Sequence, residues 1–253
     1  MAIVQARMSS SRLPGKVLKP LAGRAVLEHV VRRLEHCRTL DEVVVATSDD
    51  ASDDPIVSWC ENYGVRFHRG SLDDVLGRYR DAAHHFGAEV VVRITADCPV
   101  IDPIVVDLVV DGFLGGDYDY FGLGGEFPNG LDCEVMTQSA LERAADEAIR
   151  PSDREHVTPY FKRHPKLFAQ GSVAPFDRLF HHRWTLDVEE DYQFLCRIFE
   201  HLYQEDRLFL TQDLLRLLDQ QPELMTINAA IERGVGYQRS LAAELDAGWD
   251  PEN

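Results

Sequence analysis

Short apolar runs alternate with amphipathic segments along the first 115 residues of the chain. The runs rich in Val and Ile, which predict strands, are AIVQAR at 2–7, EVVVATS at 42–48 and EVVVRIT at 89–95. Between them, segments such as AVLEHVVRRLEHC at 25–37 place apolar residues three and four positions apart, which is typical of helices. Strand–helix units with short connections predict an α/β fold with a Rossmann-like, mostly parallel sheet and helices on both faces.

The pattern becomes less regular after residue 116. Residues 117–136 predict strands separated by turns, whereas 139–148 and 152–165 predict helices, with Pro159 near an end or a kink of the second. Residues 181–203 predict a strand and then a helix, and 211–220 and 240–248 predict amphipathic helices. We therefore expect the sheet to carry an irregular α+β extension and a helical tail.

Composition narrows the classes of protein to consider. The 43 acidic against 26 basic residues argue against nucleic acid as a partner, because phosphate contacts dominate such binding. The five cysteines contain no C-x-x-C pair, which predicts reduced, mostly buried thiols. No apolar run approaches the roughly 20 residues of a membrane span, and the N-terminus is charged too early for a signal peptide. We therefore expect a cytoplasmic protein.

The first 27 residues depart from the acidic character of the chain. They hold five Lys or Arg residues and no Asp or Glu, although the whole chain has a net charge of −17. These cations follow the first predicted strand, at the edge where open α/β sheets bind ligands, and we expect the next helix to point its positive end at them. The loop residues expected to bind nucleotide phosphates are Arg7, Ser9, Ser10, Ser11, Arg12, Gly15 and Lys16.

The residues of this loop suit the binding of a polyphosphate, although they do not form a known phosphate-binding motif. It is no Walker A sequence, because Ser10 stands where the first glycine is required and Val17 follows Lys16. A solvated basic turn is the alternative interpretation. The absence of acids from this part of so acidic a chain favours phosphate binding.

Six blocks of sequence carry a more specific resemblance. They are QARMSSSRLPGKVLKPLAG at 5–23, VVVATSDD, DDVLGRY, VVRITADCPVIDP, DREHVTPY and HRWTLDVEED. From about residue 2 to residue 200, their content and order resemble the sugar cytidylyltransferases, in particular the spore-coat polysaccharide cytidylyltransferase-like family, which is related to the CMP-sialic acid and CMP-Kdo synthetases. The resemblance implies a glycosyltransferase-A-type nucleotidyltransferase fold. It also implies that Arg12 and Lys16, as the loop arginine and lysine, hold the triphosphate of CTP and act in catalysis.

Two aspartates are candidate ligands of Mg²⁺. Asp97 and Asp187 each follow a predicted strand, and both should lie at the sheet edge that carries the basic loop. A single Asp at a strand end is more often the cap of the next helix, as we expect of Asp102, with Glu189 a cap or first-turn acid. The resemblance singles out Asp97 and Asp187 as the magnesium ligands.

Two other features suggest chemistry that we do not favour. Asp117 and Asp119 have the D-x-D spacing of a glycosyltransferase metal motif, but they precede a predicted strand. Cys98 adjoins Asp97, yet a small buried thiol explains it better than a nucleophile.

The base and acceptor sites are less sharply defined. Ser71 and Asp73 follow the third predicted strand and could bind the cytosine, although Ser71 equally suits a helix N-cap, with Asp74 completing a capping-box pattern. An acidic sugar requires a cation for its carboxylate and acceptors for its hydroxyls. The candidate acceptor residues are Asn129, Asp132, Glu134, Arg154, Glu155 and His156.

These expectations combine into one hypothesis about function. The chain is expected to be a Mg²⁺-dependent cytidylyltransferase that joins CMP from CTP to an acidic sugar or a related hydroxylated acceptor. The alternatives are a glycosyltransferase that uses a nucleotide sugar and a non-catalytic nucleotide-binding subunit. Residues 1–253 form one domain in this interpretation, with a nucleotide-binding half at 1–115, an acceptor and dimerisation half at 116–205 that returns to the sheet, and a helical tail at 206–253. A homodimer is expected by analogy with the related synthetases.

Overall fold

The computed structural model describes residues 1–249, which form strands and helices in alternation. The strands are β1 (Ala2–Gln5), β2 (Pro20–Leu21), β3 (Arg24–Ala25), β4 (Val43–Ser48), β5 (Phe67–Gly70), β6 (Val90–Thr95), β7 (Tyr120–Leu123), β8 (Glu134–Thr137) and β9 (Gln170–Val173). The helices are α1 (Val26–Leu34), α2 (Asp54–Tyr63), α3 (Val75–Phe86), α4 (Pro103–Leu114), α5 (Gln138–Glu147), α6 (Pro151–His156), α7 (Pro159–Arg163), α8 (Glu189–Leu202), α9 (Thr211–Gln220) and α10 (Val235–Asp246).

Seven of the strands form one sheet in the order β5–β4–β1–β6–β8–β7–β9. All neighbouring pairs are parallel except the two that β8 makes, with β6 and with β7. The mostly parallel α/β sheet predicted from the sequence is therefore confirmed. The irregular half supplies β7, β8 and β9 at one side of it.

The strand order changes direction between β1 and β6. From β1 the chain moves outward through β4 to β5, and it then crosses back to place β6 on the other side of β1. Open α/β sheets bind ligands beyond the carboxyl ends of the strands at such a switch point. The loop after β1 and the loop after β6 meet there, and they carry Lys16 and Asp97.

Each face of the sheet packs against its own set of helices. Val4 of β1 belongs to a core formed with α1, α2 and α4, whereas the adjacent Ile3 belongs to a core formed with α3, α5 and α7. Neighbouring strand residues point to opposite faces, so near-continuous Val and Ile runs are required when both faces are covered. The helices on both faces are as predicted.

A third apolar cluster lies beside the sheet and supports the later site residues. It joins Trp184 and Leu186 to Phe194 and Ile198 of α8 and to Leu214 of α9. The prediction of a strand over residues 181–187 is wrong, because this segment makes a single bridge, between Asn129 and Arg183. Its next backbone bond, from Leu186 N to Asp97 O at 2.8 Å, goes to a different segment. Asp187 therefore follows an extended stretch that is not part of a ladder.

The element after the basic loop also differs from the prediction. A single 3₁₀ turn at Lys16–Leu18 comes first, followed by the β2–β3 hairpin, and α1 begins only at Val26. The positive end of α1 is thus separated from the loop by the hairpin. The charge of the loop comes from its side chains and free N–H groups.

The prediction of a break near Pro159 is confirmed. Between α6 and α7, Val157 adopts φ 68° and ψ −63°, and Thr158 N donates to His156 O at 2.8 Å. This is a γ-turn of the rare hand, which costs of the order of 1–3 kcal/mol in a non-glycine residue. Val157 is fully buried, so packing holds it in place.

Two predictions about residue classes can be compared with the described chain. All five cysteines are free and four are buried, as expected. None of the helices within residues 1–249 is long and apolar enough to cross a membrane. Residues 250–253 of the expected tail lie outside the described residues.

Gly130→Ala tests the close approach that places the 183–187 segment beside the sheet. Gly130 has φ 108°, and an added Cβ would lie 2.7 Å from the carbonyl carbon of Trp184. We expect a loss of about 2–5 kcal/mol in the free energy of unfolding, measured with urea, because strain and overpacking add. The control is Gly64→Ala, which has φ 68° and open space around it, and which should lose only about 1–2 kcal/mol. Equal losses in the two variants would contradict the close approach.

Candidate functional site

The Lys16 ammonium joins the two segments that meet at the switch point. Its Nζ donates to Asp97 Oδ2 at 2.6 Å, to Leu186 O at 2.8 Å and to Asp187 Oδ1 at 2.9 Å. All three N–H groups of the ammonium are thereby satisfied, which its 11% side-chain exposure requires. Burial opposes the charged form, but the two carboxylates outweigh it and raise the pKa of Lys16. Lys16, Asp97 and Asp187, predicted to share one edge, are in direct contact.

Asp187 has further cations around it. Arg12 Nη2 lies 3.3 Å from its Oδ1, and Arg183 Nη2 donates to its Oδ2 at 3.0 Å. Burial by itself would raise the pKa of Asp187, but Lys16, Arg12 and Arg183 together lower it to about 2. Asp187 is therefore an ionised, pre-oriented carboxylate at neutral pH.

The position of Asp187 depends on Asp191, which the sequence analysis missed. The fully buried Asp191 carboxylate accepts two bonds from Arg183 at 2.8 Å, and it also accepts from Asp187 N at 3.0 Å and from Asn228 Nδ2 at 2.9 Å. Asp191 is the third residue of α8, where an acid that bonds back to the N-cap backbone ends the preceding loop. The available signal in the sequence was an acid at the third position of a predicted helix. Nothing in the sequence indicated a role for Arg183.

The basic loop is anchored by another buried acid. Asp53 Oδ1 accepts from Met8 N at 2.6 Å, while its Oδ2 accepts from Ser48 N at 3.0 Å and Thr47 Oγ1 at 3.1 Å. These bonds tie the loop to the end of β4. Gly15, with φ 69°, lets its N–H reach Met8 O at 2.9 Å and turns the chain toward Lys16.

The serines and Arg7 of the loop occupy different positions. Ser9 and Ser11 are exposed, and Ser10 Oγ accepts from Leu13 N at 3.4 Å within the turn. Arg7 points away from the aspartates, and its Nη2 donates to Glu155 at 3.2 Å. The structure thus brings together Arg12 and Lys16 and places Arg7 at a separate point of the loop.

The donor set at Asp97 and Asp187 fits a magnesium ion. One atom, Lys16 Nζ, lies within 2.9 Å of an oxygen of each carboxylate, so the two oxygens can face a common cation. Mg²⁺ takes one or two protein carboxylates and completes its shell with water and phosphate oxygens. Within residues 1–249 there is no cluster of three or more His, Cys, Asp or Glu side chains suited to a metal. This pair would thus need substrate oxygens to complete a metal site.

The candidate base residues lie after β5, two strands away from β1 in the sheet. Ser71 and Asp73 are both exposed there. Ser71 is not the N-cap of α3, because that position is held by Asp74, whose Oδ1 accepts from Gly77 N at 2.9 Å. Ser71 Oγ accepts only from Asp74 N, at 3.3 Å, inside the preceding turn.

Glu134 belongs to a compact polar cluster next to the carboxyl end of β1. It accepts from Tyr120 Oη at 2.7 Å, from Arg93 Nη1 at 2.8 Å and from Lys162 Nζ at 2.9 Å. Arg93 also donates to Gln5 Oε1 at 3.1 Å. Burial alone would raise the pKa of Glu134, but Lys162, Arg93 and the Tyr120 hydroxyl lower it to about 2.

Arg154 is committed to structural contacts and does not join the other candidates for the acceptor. Its guanidinium bonds the Asp74 carboxylate and the carbonyl oxygens of Ala145 and Ala148. It therefore ties α6 to the start of α3 and to the end of α5. The cation expected to bind an acidic acceptor must come from elsewhere in the chain.

Glu155 and His156 contact the C-terminal helix. Ser240 Oγ lies 2.8 Å from Glu155 Oε2 and 2.9 Å from His156 Nε2, and the Tyr237 ring meets the imidazole edge to face. Burial is the main cause that lowers the pKa of His156 below its usual value. His156 is therefore a neutral imidazole at pH 7, suited to hydrogen bonding.

Asn129 and Asp132 flank the glycine that approaches Trp184. Asn129 uses its backbone, with its N donating to His182 O at 3.0 Å and its O accepting from Trp184 N at 2.7 Å. Asp132 Oδ2 accepts from Gly130 N at 3.0 Å, and 40% of its side chain remains accessible. Asp132 is thus positioned by the backbone, with oxygen atoms to spare.

Neither of the two disfavoured features forms a site. Asp119 Oδ2 accepts from Ala169 N at 2.8 Å and so fastens β9, while Asp117 is exposed. Cys98 is 2% exposed, and burial is the first cause that raises the pKa of its thiol well above the usual value. Asp102 caps α4 through Ile104 N at 2.9 Å, and Glu189 is the first residue of α8, as expected.

Comparison with known proteins agrees with the geometry. The cytidylyltransferase family model matches residues 1–226. The chain is 33% identical over 233 residues to the spore coat polysaccharide biosynthesis protein SpsF of Bacillus subtilis, which covers 88% of this chain and 95% of that protein. It is 33% identical over 184 residues to the 8-amino-3,8-dideoxy-manno-octulosonate cytidylyltransferase of Shewanella frigidimarina, with 70% and 66% covered. A solved cytidylyltransferase from Leptospira borgpetersenii has a TM-score of 0.83 and 31% identity, with 88% and 95% covered. The resemblance and the fold class predicted from the sequence are confirmed.

Lys16→Met tests whether the Lys16 ammonium occupies the position at which Asp97 and Asp187 need a cation. The variant leaves Asp97 and Asp187 facing each other without it, so we expect a loss of about 1–3 kcal/mol in the free energy of unfolding. Millimolar Mg²⁺ should restore more stability in this variant than it adds to the wild type. Thermal unfolding with and without Mg²⁺ measures both effects. Lys19→Met is the control, since Lys19 pairs with Glu189 at 3.6 Å outside the cluster. An equal response to Mg²⁺ in all three proteins would contradict the prediction.

Glu134→Gln tests the polar cluster through its pH dependence. The folded-state pKa of about 2 lies below the ordinary value of 4.5, so the ionised carboxylate stabilises the fold above about pH 4.5. That contribution is lost as the pH falls toward 2. The wild type should therefore be more stable than Glu134→Gln at pH 7, and urea unfolding should show the difference shrinking below pH 4.5. A difference that does not change with pH would show that Glu134 is not held ionised by its neighbours.

Proposed function

Because the chain belongs to the cytidylyltransferase family of sugar-activating nucleotidyltransferases, we propose that it transfers CMP from CTP to a hydroxyl group of a sugar acceptor. The acceptor hydroxyl would attack the α-phosphorus and lose its proton to solvent, and pyrophosphate would leave with the electron pair of the broken P–O bond. The observation that carries the proposal is the contact of Lys16 with both Asp97 and Asp187 at the switch point of the sheet.

The protein contributes charge and position to this reaction. Arg12 and Lys16 would bind the triphosphate and stabilise the negative charge that develops on the departing pyrophosphate. The ammonium is a point charge on a flexible four-carbon stem, so it can leave the carboxylates for a phosphate oxygen without movement of the backbone. Ser9, Ser10 and Ser11 would add hydroxyl donors, while Gly15, whose own N–H bonds Met8 O, would let the backbone approach the phosphates closely.

The two aspartates would hold the magnesium ion. Asp97 and Asp187 offer two carboxylates and leave the other positions of the ion to water and phosphate. When bound, Mg²⁺ neutralises phosphate charge and lowers the pKa of a coordinated hydroxyl group. Arg183 and Asp191 would act as positioning residues that fix the orientation of Asp187.

The cytosine base and the acceptor would bind at different parts of the sheet. Ser71 and Asp73, exposed after β5, would contact the cytosine base. Asn129, Asp132, Glu134 and His156 would line the acceptor side, where 40% of the Asp132 side chain is accessible. Arg154 no longer belongs to this group, because its guanidinium is bonded to Asp74 and to carbonyl groups of α5.

Selective binding of CTP and release of pyrophosphate test the function. Thermal unfolding with Mg²⁺ and each of CTP, UTP, ATP and GTP should show the largest stabilisation with CTP, about 2.7 kcal/mol at a hundred times the dissociation constant. Pyrophosphate release should then be measured with a panel of acidic and neutral sugars.

Asp97→Asn is the matching variant, and we expect it to lower the turnover about 10²–10³-fold with the fold intact. Asp117→Asn is the control, because Asp117 is exposed and lies outside the cluster. Equal turnover by Asp97→Asn and the wild type would exclude the assigned metal site. Stabilisation by a nucleotide sugar in preference to every triphosphate would exclude the cytidylyltransferase activity.

A further inference from the structure

The C-terminal segment from Asn228 to Trp249, here called the C-terminal strap, contacts both the Arg183–Asp191 pair and α6. At its start, Asn228 Nδ2 donates to Arg183 O at 3.0 Å and to Asp191 Oδ1 at 2.9 Å, beside the metal carboxylates. Further along, Ser240 bonds Glu155 and His156. The strap begins just beyond the part of the chain that the family model matches, which ends at residue 226.

Polar contacts, rather than a hydrophobic core, hold the strap in place. Of the residues of α10, only Glu244 is buried, and its Oε1 accepts from Ser152 N at 2.5 Å. A helix with so little buried apolar surface contributes little to the core. Its polar contacts join it instead to Glu155 and His156, two of the candidate acceptor residues.

Arg233 is the residue of the strap that reaches the acceptor side. Its guanidinium lies between two aromatic rings, 4.8 Å from the centre of Phe127 and 4.6 Å from the centre of Phe180. Nη1 donates to Phe127 O at 2.8 Å. Two ring faces and a carbonyl fix the plane of the guanidinium, which is the arrangement that recognises planar or tetrahedral anions.

The charge of Arg233 is incompletely matched by its neighbours. Its carboxylate neighbour, Asp132, is 3.8 Å from Nη2, longer than a hydrogen bond, and 24% of the Arg233 side chain is accessible. Burial first, and then the nearby Arg183, lower the pKa of Arg233 in spite of Asp132. A half-buried guanidinium with five donors and one short bond has the capacity to take up an anionic group.

We propose that Arg233 is a specificity-determining residue that binds an anionic group of the acceptor, while Asp132 beside it accepts a hydrogen bond from a hydroxyl group of the acceptor. This assignment rests on the proposed function and deepens it, because it restricts the acceptors to sugars that carry a carboxylate or a phosphate.

The other cations near the acceptor side have closer partners. Arg93 and Lys162 both bond Glu134, and Arg7 bonds Glu155. Arg154 is bonded to Asp74. Arg233 differs from these cations in three ways. Its guanidinium lies against two aromatic rings, part of its side chain is accessible, and its carboxylate neighbour Asp132 is 3.8 Å away.

Calorimetric binding to three proteins tests the assignment: the wild type, Arg233→Gln, and Arg239→Gln as control. Arg239 is an exposed cation of the same C-terminal strap, so its replacement makes the same change of charge. The probes are glucuronate and 3-deoxy-manno-octulosonate for a carboxylate, glucose 6-phosphate for a phosphate, and glucose as the neutral sugar. A CTP analogue that cannot be cleaved, with Mg²⁺, fills the phosphate loop beforehand.

We expect at least one anionic probe to bind more tightly than glucose, both to the wild type and to Arg239→Gln. Arg233→Gln should bind that probe about 10- to 100-fold more weakly, with unchanged affinity for glucose and for the CTP analogue. The probe that shows the effect identifies the anion as a carboxylate or a phosphate.

Three outcomes would overturn the assignment. They are a wild type that binds no anionic probe more tightly than glucose, equal binding of the anionic probes to all three proteins, and weaker binding of the CTP analogue to Arg233→Gln, which would place Arg233 at the nucleotide. A failure of the proposed function is seen separately, as no binding of the CTP analogue by the wild type. The sugar titrations are then repeated without it, and the first two outcomes decide.

Discussion

The contact between the Lys16 ammonium and two carboxylates is the interaction on which the site depends. Two half-buried aspartates would repel each other without a cation between them, and a buried lysine would lose its charge without the aspartates. The two carboxylates therefore raise the pKa of Lys16, and Lys16 in turn lowers the pKa of Asp187. The contact also joins the β1 loop to the loop after β6 and to the segment before α8.

Much of the surrounding structure keeps these three segments in place. Asp53 bonds the backbone of the β1 loop to the end of β4, and Asp191 bonds the backbone before α8 together with Arg183. Both anchors are buried carboxylates that accept several hydrogen bonds, which is the condition under which a buried charge is tolerated. The backbone of the site is thus held by hydrogen bonds to two buried carboxylates.

The sequence predicted the fold well because burial on both faces leaves a strong signal. Val and Ile runs marked β1, β4 and β6, and helical periodicity marked the helices between them. The segment before Asp187 was predicted wrongly, because alternation of polar and apolar residues also arises where a chain is pinned to two different partners. Ser71 and Asp74 form a similar case, since either could begin a helix and only the path of the chain decides between them.

The candidate site was predictable where its residues follow strands and hard to predict elsewhere. Strand ends at a switch point brought Lys16 and Asp97 together as expected, whereas Asp187 joins them from a segment that is not a strand. The contacts of Arg154 were not predictable, because a cation in a polar stretch looks the same whether it faces a ligand or bonds an acid and a helix end. Arg233 was missed because its surroundings come from segments around residues 127–132 and 180, which only the folded chain brings near it.

The large separation of the cluster residues along the chain affects when the cluster can form during synthesis of the protein. Lys16 bonds partners that are 81 and 171 residues away. Contacts of such high sequence separation close large loops, and they form after local helices and hairpins. During synthesis, the four parallel strands β5, β4, β1 and β6 leave the ribosome well before Asp187 does. A nascent chain can therefore build half of its sheet while the ammonium still lacks one of its two carboxylates, and the complete cluster can form only after Asp187 has been synthesised.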